Sequence, residues 1–128
     1  MYMPARRSRR LALLAALALL GAAPAFAQPR GEMRCGWLHN PTPGNWWLVD
    51  RDGQWVLRSQ GEAELPGMEL IPDLTGPEWV RTGGGSYGYG CVCLRLVADP
   101  KTRTVQQILS ARQQALSVCR KDRHLPPP

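Results

Sequence analysis

The sequence predicts a mainly β domain, folded as a small antiparallel sheet or a partly open barrel, with a short C-terminal helical turn and disulfide bonds. Three observations predict this. The chain opens with an export signal, four cysteines follow that signal, and short apolar runs alternate with turns rich in Gly, Pro, Asn and Asp. Cysteines in an oxidising compartment form disulfides, and evenly spaced short strands between turns are typical of all-β domains.

Residues 1–27 are interpreted as a cleaved signal peptide. Residues 6–10 supply positive charge, residues 11–23 are apolar, and Pro24–Ala27 ends with the small residues that a signal peptidase recognises. The apolar run is too short for a stable spanning helix, so no stable membrane insertion is expected after cleavage. A periplasmic or secreted location follows. General secretion is the simpler route, and Ser8–Arg10 leaves twin-arginine export open.

Cleavage removes most of the positive charge. All ten acidic residues lie after Ala27, whereas four of the sixteen basic ones lie before it, so the formal charge falls from +6 to +2. A nucleic-acid-binding protein needs a clustered basic face, and the remaining Arg and Lys are scattered, so nucleic acid is not expected as a partner. Residues 28–125 are long enough for one domain, with 126–128 as a frayed tail.

Four cysteines in the exported part predict two disulfides: Cys35, Cys91, Cys93 and Cys119. Cys91 and Cys93 lie two residues apart on one predicted strand and point the same way with parallel Cβ vectors, so they do not pair with each other. Each is expected to bond to one of Cys35 and Cys119, in either arrangement. The alternate residues of the same strand, within 92–98, form an aliphatic face directed at the core.

The clearest hairpin joins residues 45–50 to residues 54–58. The loop Arg51–Gly53 fits a three-residue connection, a type I turn followed by a left-handed glycine. In that register one face is wholly apolar and forms the core: Trp47, Val49, Trp55 and Leu57. Trp46 then points the other way. A two-residue loop is the less favoured alternative, because each face would then mix charge with tryptophan.

The flanking segments are less regular. Residues 34–38 form a brief strand that ends at a rigid turn, Asn40–Gly44, which contains two prolines. Residues 59–77 are interpreted as a surface loop that docks three apolar side chains: Met68, Leu70 and Ile71.

The last third of the chain surrounds the cysteine-bearing strand. Residues 78–82 form a short strand before the glycine-rich loop 83–90, and residues 104–109 return as a strand. The spacing of apolar residues over 104–118 also fits a helix, which stays open. Residues 117–122 are expected to form the C-terminal helical turn.

Known site motifs match only in part. Gly83–Gly88 has the dinucleotide-binding glycine spacing, but a strand follows it where that motif needs a helix. Asp50–Gly53 resembles part of a calcium loop without its later ligands. Short Cys–His spacings that suit zinc compete with disulfides. No nucleophile, acid or base has the partners that catalysis requires, so we expect no enzyme, no cofactor and no metal.

Five tryptophans are the remaining unusual feature. Most are expected to be buried, since large aromatics supply core area. Trp46, with Tyr87 and Tyr89 of the glycine-rich loop, is the best candidate for an exposed aromatic platform that binds a partner.

Three spaced motifs resemble a family of small exported bacterial proteins catalogued as domain of unknown function 4087. The motifs are Cys35-Gly36-Trp37-x-x-Asn40-Pro41-Thr42-Pro43-Gly44-Asn45-x-Trp47-Leu48-x-Asp50-x-Asp52-Gly53-x-Trp55, then Gly88-Tyr89-Gly90-Cys91-x-Cys93-Leu94 and Leu116-Ser117-x-Cys119-Arg120-x-Asp122. The resemblance implies a stand-alone periplasmic or secreted domain. It brings no catalytic or binding residue.

The expected function is therefore binding of an envelope component, a glycan, peptide or protein, through Trp46, Tyr87 and Tyr89. The alternative is a protein inhibitor of a cell-wall hydrolase or another secreted enzyme, which presents the Asn40–Gly44 turn or the glycine-rich loop to an enzyme cleft.

Overall fold

The computed structural model describes residues 21–23 and 30–128, so nearly all of the predicted signal peptide lies outside the described residues. The elements of the described part, in chain order, are β1 (Glu32–Thr42), β2 (Asn45–Asp50), β3 (Gly53–Arg58), a 3-10 turn (Met68–Leu70), β4 (Trp79–Arg81), β5 (Gly88–Asp99), β6 (Thr104–Gln114) and α1 (Leu116–Lys121). None of the helices in this part is long and apolar enough to cross a membrane.

The strands form one sheet that curls into a partly closed ring. Their order is β1-β2-β3-β6-β5-β4, and β1 also pairs with β5, which brings the sheet back on itself. All pairings are antiparallel except β3 with β6, which meet only at Val56 and Thr104. Beside this weak seam the Ile108 amide donates to the Pro66 carbonyl at 2.9 Å, so the long loop lies against β6. The predicted mainly β, partly open barrel is confirmed.

The main core fills the ring. Val92, Leu94 and Leu96 of β5 point into it and are almost wholly inaccessible to solvent, which confirms the predicted aliphatic face. The buried core residues are Leu38, Leu48, Trp55, Leu57, Leu65, Leu74, Trp79, Val92, Leu94, Leu96, Val105 and Ile108.

A second apolar cluster, the outer cluster, lies between the outer face of the sheet and α1. Its buried members are Trp37, Cys91, Leu116 and Cys119. The Trp37 indole donates to the Pro126 carbonyl at 3.0 Å. The chain end therefore lies against this cluster as far as Pro126, one residue beyond the predicted domain boundary.

All four cysteines form disulfides, Cys35 with Cys93 and Cys91 with Cys119. The prediction that Cys91 and Cys93 do not pair with each other is confirmed, and one of the two open arrangements is selected. Cys35 lies directly opposite Cys93 in the β1–β5 register, whereas Cys119 ties α1 to β5.

The β2–β3 hairpin has a two-residue loop, so the predicted three-residue loop is wrong. Asp50 pairs with Gly53 and Leu48 with Trp55. Leu48 is therefore a core residue, fully buried, while Trp47 and Val49 face outward. This shift of one position exchanges the two faces of β2.

The physical reason is the Asp50 carboxylate. Asp50 lies on the core face and is only 4% exposed. Its Oδ1 accepts hydrogen bonds from the Trp55 indole at 3.0 Å and the Asp52 amide at 2.8 Å, and its Oδ2 accepts one from Arg34 at 2.8 Å. A buried charge is tolerated when it is paired and fully hydrogen-bonded. The assumption that a face with Asp and Trp cannot be the core therefore fails here.

Three other expectations change. β1 continues through Thr42, so the chain turns at Pro43 and Gly44. β6 is a strand as far as Gln114, which excludes the helical alternative for residues 104–114. In the long loop Met68 and Ile71 pack against the core as expected, but Leu70 is exposed; the predicted docking of Leu70 is wrong.

Candidate functional site

Three side chains form a row across the outer face of the sheet: Trp47 of β2, His39 of β1 and Tyr89 of β5. We call them the aromatic row. His39 lies directly opposite Trp47 on one side and opposite Tyr89 on the other. Neighbouring strands lie about 4.8 Å apart, so side chains in register touch. The His39 and Trp47 rings stack with centroids 5.5 Å apart, and those of His39 and Tyr89 are 5.6 Å apart.

The aromatic row is supported from its Tyr89 side. Trp37 meets Tyr89 edge to face, with centroids 5.5 Å apart, and Trp37 is fully buried in the outer cluster. Val80 of β4 lies opposite Tyr89 and packs on the same cluster. Because four paired strands and a buried indole hold the row, its rings are fixed in position.

The row combines partial exposure with free polar atoms. Trp47, His39 and Tyr89 are all half-buried. The indole N–H groups of Trp37, Trp55 and Trp79 donate to oxygens within the protein. Within the described part of the chain, the side-chain polar atoms of the aromatic row have no hydrogen-bond partner. Buried or half-buried Trp and Tyr usually find a partner for the polar atom, so these atoms are available to a ligand.

The row carries no net charge at neutral pH. Burial lowers the pKa of His39 below its ordinary value of 6.5, because removal from water disfavours the charged imidazolium. A neutral imidazole offers one donor and one acceptor. The row therefore presents neutral rings together with an indole N–H, an imidazole and a phenol.

The turn between β1 and β2 borders the row. Asn40 is 7% exposed, and its carboxamide donates to the carbonyls of Thr42 at 3.0 Å and Asn45 at 2.9 Å. The Asn45 carboxamide in turn accepts from the Gln60 amide at 2.8 Å. These bonds fix the Pro43–Gly44 turn, as the prolines predicted.

The glycine-rich loop lies at the same end of the barrel, because Asn40 pairs with Gly88. Its base is fixed: the Trp79 indole donates to the Ser86 carbonyl, and the Thr82 amide to the Tyr87 carbonyl. Residues 83–86 are exposed. The turn and this loop thus lie together at the end of the barrel next to the aromatic row.

The family profile described as "Protein of unknown function (DUF4087)" matches residues 29–126. The chain belongs to the DUF4087 family. The match covers the barrel, both disulfides and α1. No curated protein and no solved structure matches this DUF4087 chain.

The residues predicted for the platform are distributed differently in the DUF4087 domain. Tyr89 belongs to the aromatic row, and Tyr87 lies half-buried at the base of the glycine-rich loop. Trp46 lies on the core face of β2 and packs against the main core. The one-residue shift of the hairpin register exchanges Trp46 for Trp47. His39 was missed, although it shares with Cys35 the alternation that places a side chain on the outer face of β1.

In this DUF4087 domain, the carboxylates of the calcium-like segment Asp50–Gly53 bind an arginine of β1, Arg34. The Arg34 guanidinium contacts Asp50 at 2.8 Å, Asp52 at 3.0 Å and Glu32 at 2.7 Å, and it lies 3.8 Å above the Trp55 ring. Burial opposes its charge, but the hydrogen bonds to Asp50 and Asp52 outweigh that cost and raise the pKa of Arg34.

Arg34 therefore takes the place that a cation would occupy between these carboxylates, and it closes the end of the barrel away from the aromatic row. Among the residues that the structure describes, no group of His, Cys, Asp and Glu could hold a metal ion.

Proposed function

We propose that this domain is a non-enzymatic binding domain, periplasmic or secreted, whose aromatic row binds the sugar rings of an envelope glycan. The observation that carries the proposal is the row itself: three fixed, neutral, half-exposed rings whose side-chain polar atoms have no hydrogen-bond partner among the described residues. Paired cysteines are typical of proteins in oxidising compartments, which supports the location.

The chemistry of the row favours a sugar. Binding sites for uncharged polar ligands combine apolar or aromatic surface with a few placed hydrogen-bonding groups. A sugar ring has an apolar C–H face that packs on aromatic rings and hydroxyls that reach their polar edges. The indole of Trp47 and the phenol of Tyr89 supply both kinds of contact.

An extended peptide fits this surface less well. Peptides that join a sheet need an unpaired strand edge for their backbone hydrogen bonds. At the aromatic row β1 is paired with β2 and β5, β2 with β1 and β3, and β5 with β1 and β4. The row therefore offers side chains and no free backbone edge.

A non-enzymatic role agrees with the surroundings of His39. A general base is normally oriented by a hydrogen bond to a third group. The His39 ring contacts Trp47 and Tyr89, and in the described part of the chain no carboxylate hydrogen-bonds to it.

Retention on insoluble envelope glycan tests the proposal. The oxidised domain is incubated with purified peptidoglycan sacculi and the bound fraction is measured. We expect Trp47→Ala to weaken binding about tenfold or more, the equivalent of about 1.4 kcal/mol. Val118→Ala is the matched control, since Val118 is an exposed apolar side chain on α1, outside the row. Equal retention of both variants, or none by the unaltered domain, contradicts the proposal.

A second candidate function is inhibition of a cell-wall hydrolase by the Pro43–Gly44 turn. The observation that favours it is the clamp made by the buried Asn40 carboxamide, because a preorganised loop loses little entropy when it enters an enzyme cleft. Hydrolysis of sacculi by a purified hydrolase, with the domain added, tests it. Inhibition that survives Trp47→Ala but not Thr42→Ala supports this candidate; absence of inhibition refutes it.

A further inference from the structure

The two disulfides differ in their access to solvent. Cys91 of β5 and Cys119 of α1 are only 1% and 4% exposed. Cys35 is exposed on the outer face of β1, while its partner Cys93 is 9% exposed. Cys35 also lines a cavity of about 570 Å³ at the end of the barrel where Arg34 binds Asp50 and Asp52. Of the four cysteines, Cys35 is the one exposed to solvent.

We propose that the Cys35–Cys93 bond is a thiol–disulfide exchange site that takes a small cationic thiol at the Cys35 sulfur. The thiolate of the incoming molecule bonds to Cys35 Sγ, the Cys35–Cys93 bond breaks, and its electron pair leaves on Cys93 Sγ. A second thiolate attacks the mixed disulfide and releases Cys35. The protein disulfide is reduced to two thiols, which take their protons from water, and two small thiols are oxidised to one disulfide.

The side chains near Cys93 favour this direction of attack. Arg112 of β6 lies directly opposite Cys93 in the β5–β6 register, and side chains in such pairs lie about 5 Å apart at Cβ. A neighbouring guanidinium stabilises a thiolate, and a sulfur that is stabilised as thiolate leaves faster. Attack at exposed Cys35 thus expels the better leaving group.

The cavity selects the charge of the thiol. Its ionisable lining consists of four carboxylates and two guanidiniums: Glu32, Asp50, Asp52, Asp122, Arg34 and Arg51. Arg34 is already bonded to three of the carboxylates. A cleft lined by an excess of one sign concentrates ions of the other, so a cationic thiol is attracted and an anionic one repelled.

The exchange leaves the fold in place. β1 and β5 are hydrogen-bonded to each other along their length, from the pair at Glu32 and Leu96 to the pair at Asn40 and Gly88. The buried Cys91–Cys119 bond still ties α1 to the sheet. Reduction at Cys35 therefore removes a crosslink between strands that are already paired, and neither Cys35 nor Cys93 belongs to the main core or the outer cluster.

The test uses the unaltered, oxidised protein with cysteamine as the cationic thiol and 3-mercaptopropionate as the anionic one. Samples are quenched by alkylation and the cysteines are assigned by peptide mass spectrometry. Each rate is divided by the rate of the same thiol with bis(2-hydroxyethyl) disulfide, which removes differences in intrinsic reactivity.

We expect the mixed disulfide at Cys35 and alkylation at Cys93, while Cys91 and Cys119 stay bonded. The normalised rate of cysteamine should exceed that of 3-mercaptopropionate about tenfold at low salt, and the ratio should fall as salt is added. Asp122→Asn, which removes one carboxylate of the lining, should reduce the ratio. First labelling of Cys91 or Cys119, a mixed disulfide at Cys93, or equal rates at low salt would overturn the proposal.

Discussion

The register of the β2–β3 hairpin predicts the relative cost of two neighbouring substitutions, Leu48→Ala and Trp47→Ala. Leu48 is fully buried in the main core, so its truncation loses the transfer free energy and leaves a cavity, about 3 kcal/mol together. Trp47 is half-buried, so its truncation opens no enclosed cavity; it loses part of a ring's buried area and the stacking on His39, which contributes about 1 kcal/mol beyond that area. The smaller side chain should therefore cost more.

Urea unfolding followed by circular dichroism measures this difference. With a urea dependence of about 1–3 kcal/mol per molar, the loss at Leu48 lowers the midpoint by about 1–3 M. Leu70→Ala is the matched control because Leu70 is 45% exposed, and exposed truncations usually change stability by less than about 0.5 kcal/mol.

The opposite order of stabilities would refute the register. A three-residue loop would place Trp47 in the core, where truncation of a tryptophan costs about 3–5 kcal/mol, and would leave Leu48 outside. If Trp47→Ala lowers the free energy of unfolding more than Leu48→Ala does, the two-residue loop is wrong, and the aromatic row with it.

Three further predictions concern stability. Arg34→Met leaves the buried Asp50 carboxylate without its ion partner, so the free energy of unfolding in urea at neutral pH should fall by about 3 kcal/mol; no change would show that the ion pair does not support the barrel end. Gly36→Ala puts a Cβ against the Val49 carbonyl, so it should lower the urea midpoint because overpacking costs about 1–3 kcal/mol. An unchanged midpoint would contradict the close contact between β1 and β2. Burial lowers the pKa of His39 from 6.5, so the unfolded chain binds that proton more tightly, and the free energy of unfolding should fall as the pH drops below 6.5. Urea midpoints measured on both sides of pH 6.5 should fall less for His39→Phe than for the unaltered domain. Equal falls would count against burial of the imidazole.

The cysteine-bearing strand could be predicted from the sequence because its information is local. Alternation over residues 91–98 separates aliphatic side chains from cysteines without reference to any other segment. Both faces of β5 and the separate pairing of Cys91 and Cys93 follow from that alternation. Which cysteine pairs with Cys93 depends on the β1–β5 register. That register joins two segments far apart in the chain, so no local pattern in the sequence predicts it.

The hairpin register could not be predicted, because it depends on a distant residue. Asp50 is acceptable on the core face only with Arg34, which lies sixteen positions earlier in the chain. The aromatic row depends on the same register and on the β1–β5 pairing that brings His39 beside Tyr89. Similarly, the spacing of apolar residues over 104–114 fits a helix, but this segment is a strand because it pairs with β5.

The indole N–H resonances of the five tryptophans test whether the aromatic row binds glycan. Soluble peptidoglycan fragments are titrated into the domain, with Trp47→Phe used to assign the Trp47 signal. We expect the Trp47 resonance to shift, while those of Trp37, Trp55 and Trp79, whose N–H groups are bonded within the protein, stay in place. Binding of the fragments with an unmoved Trp47 resonance would show that glycan binds elsewhere than at the aromatic row.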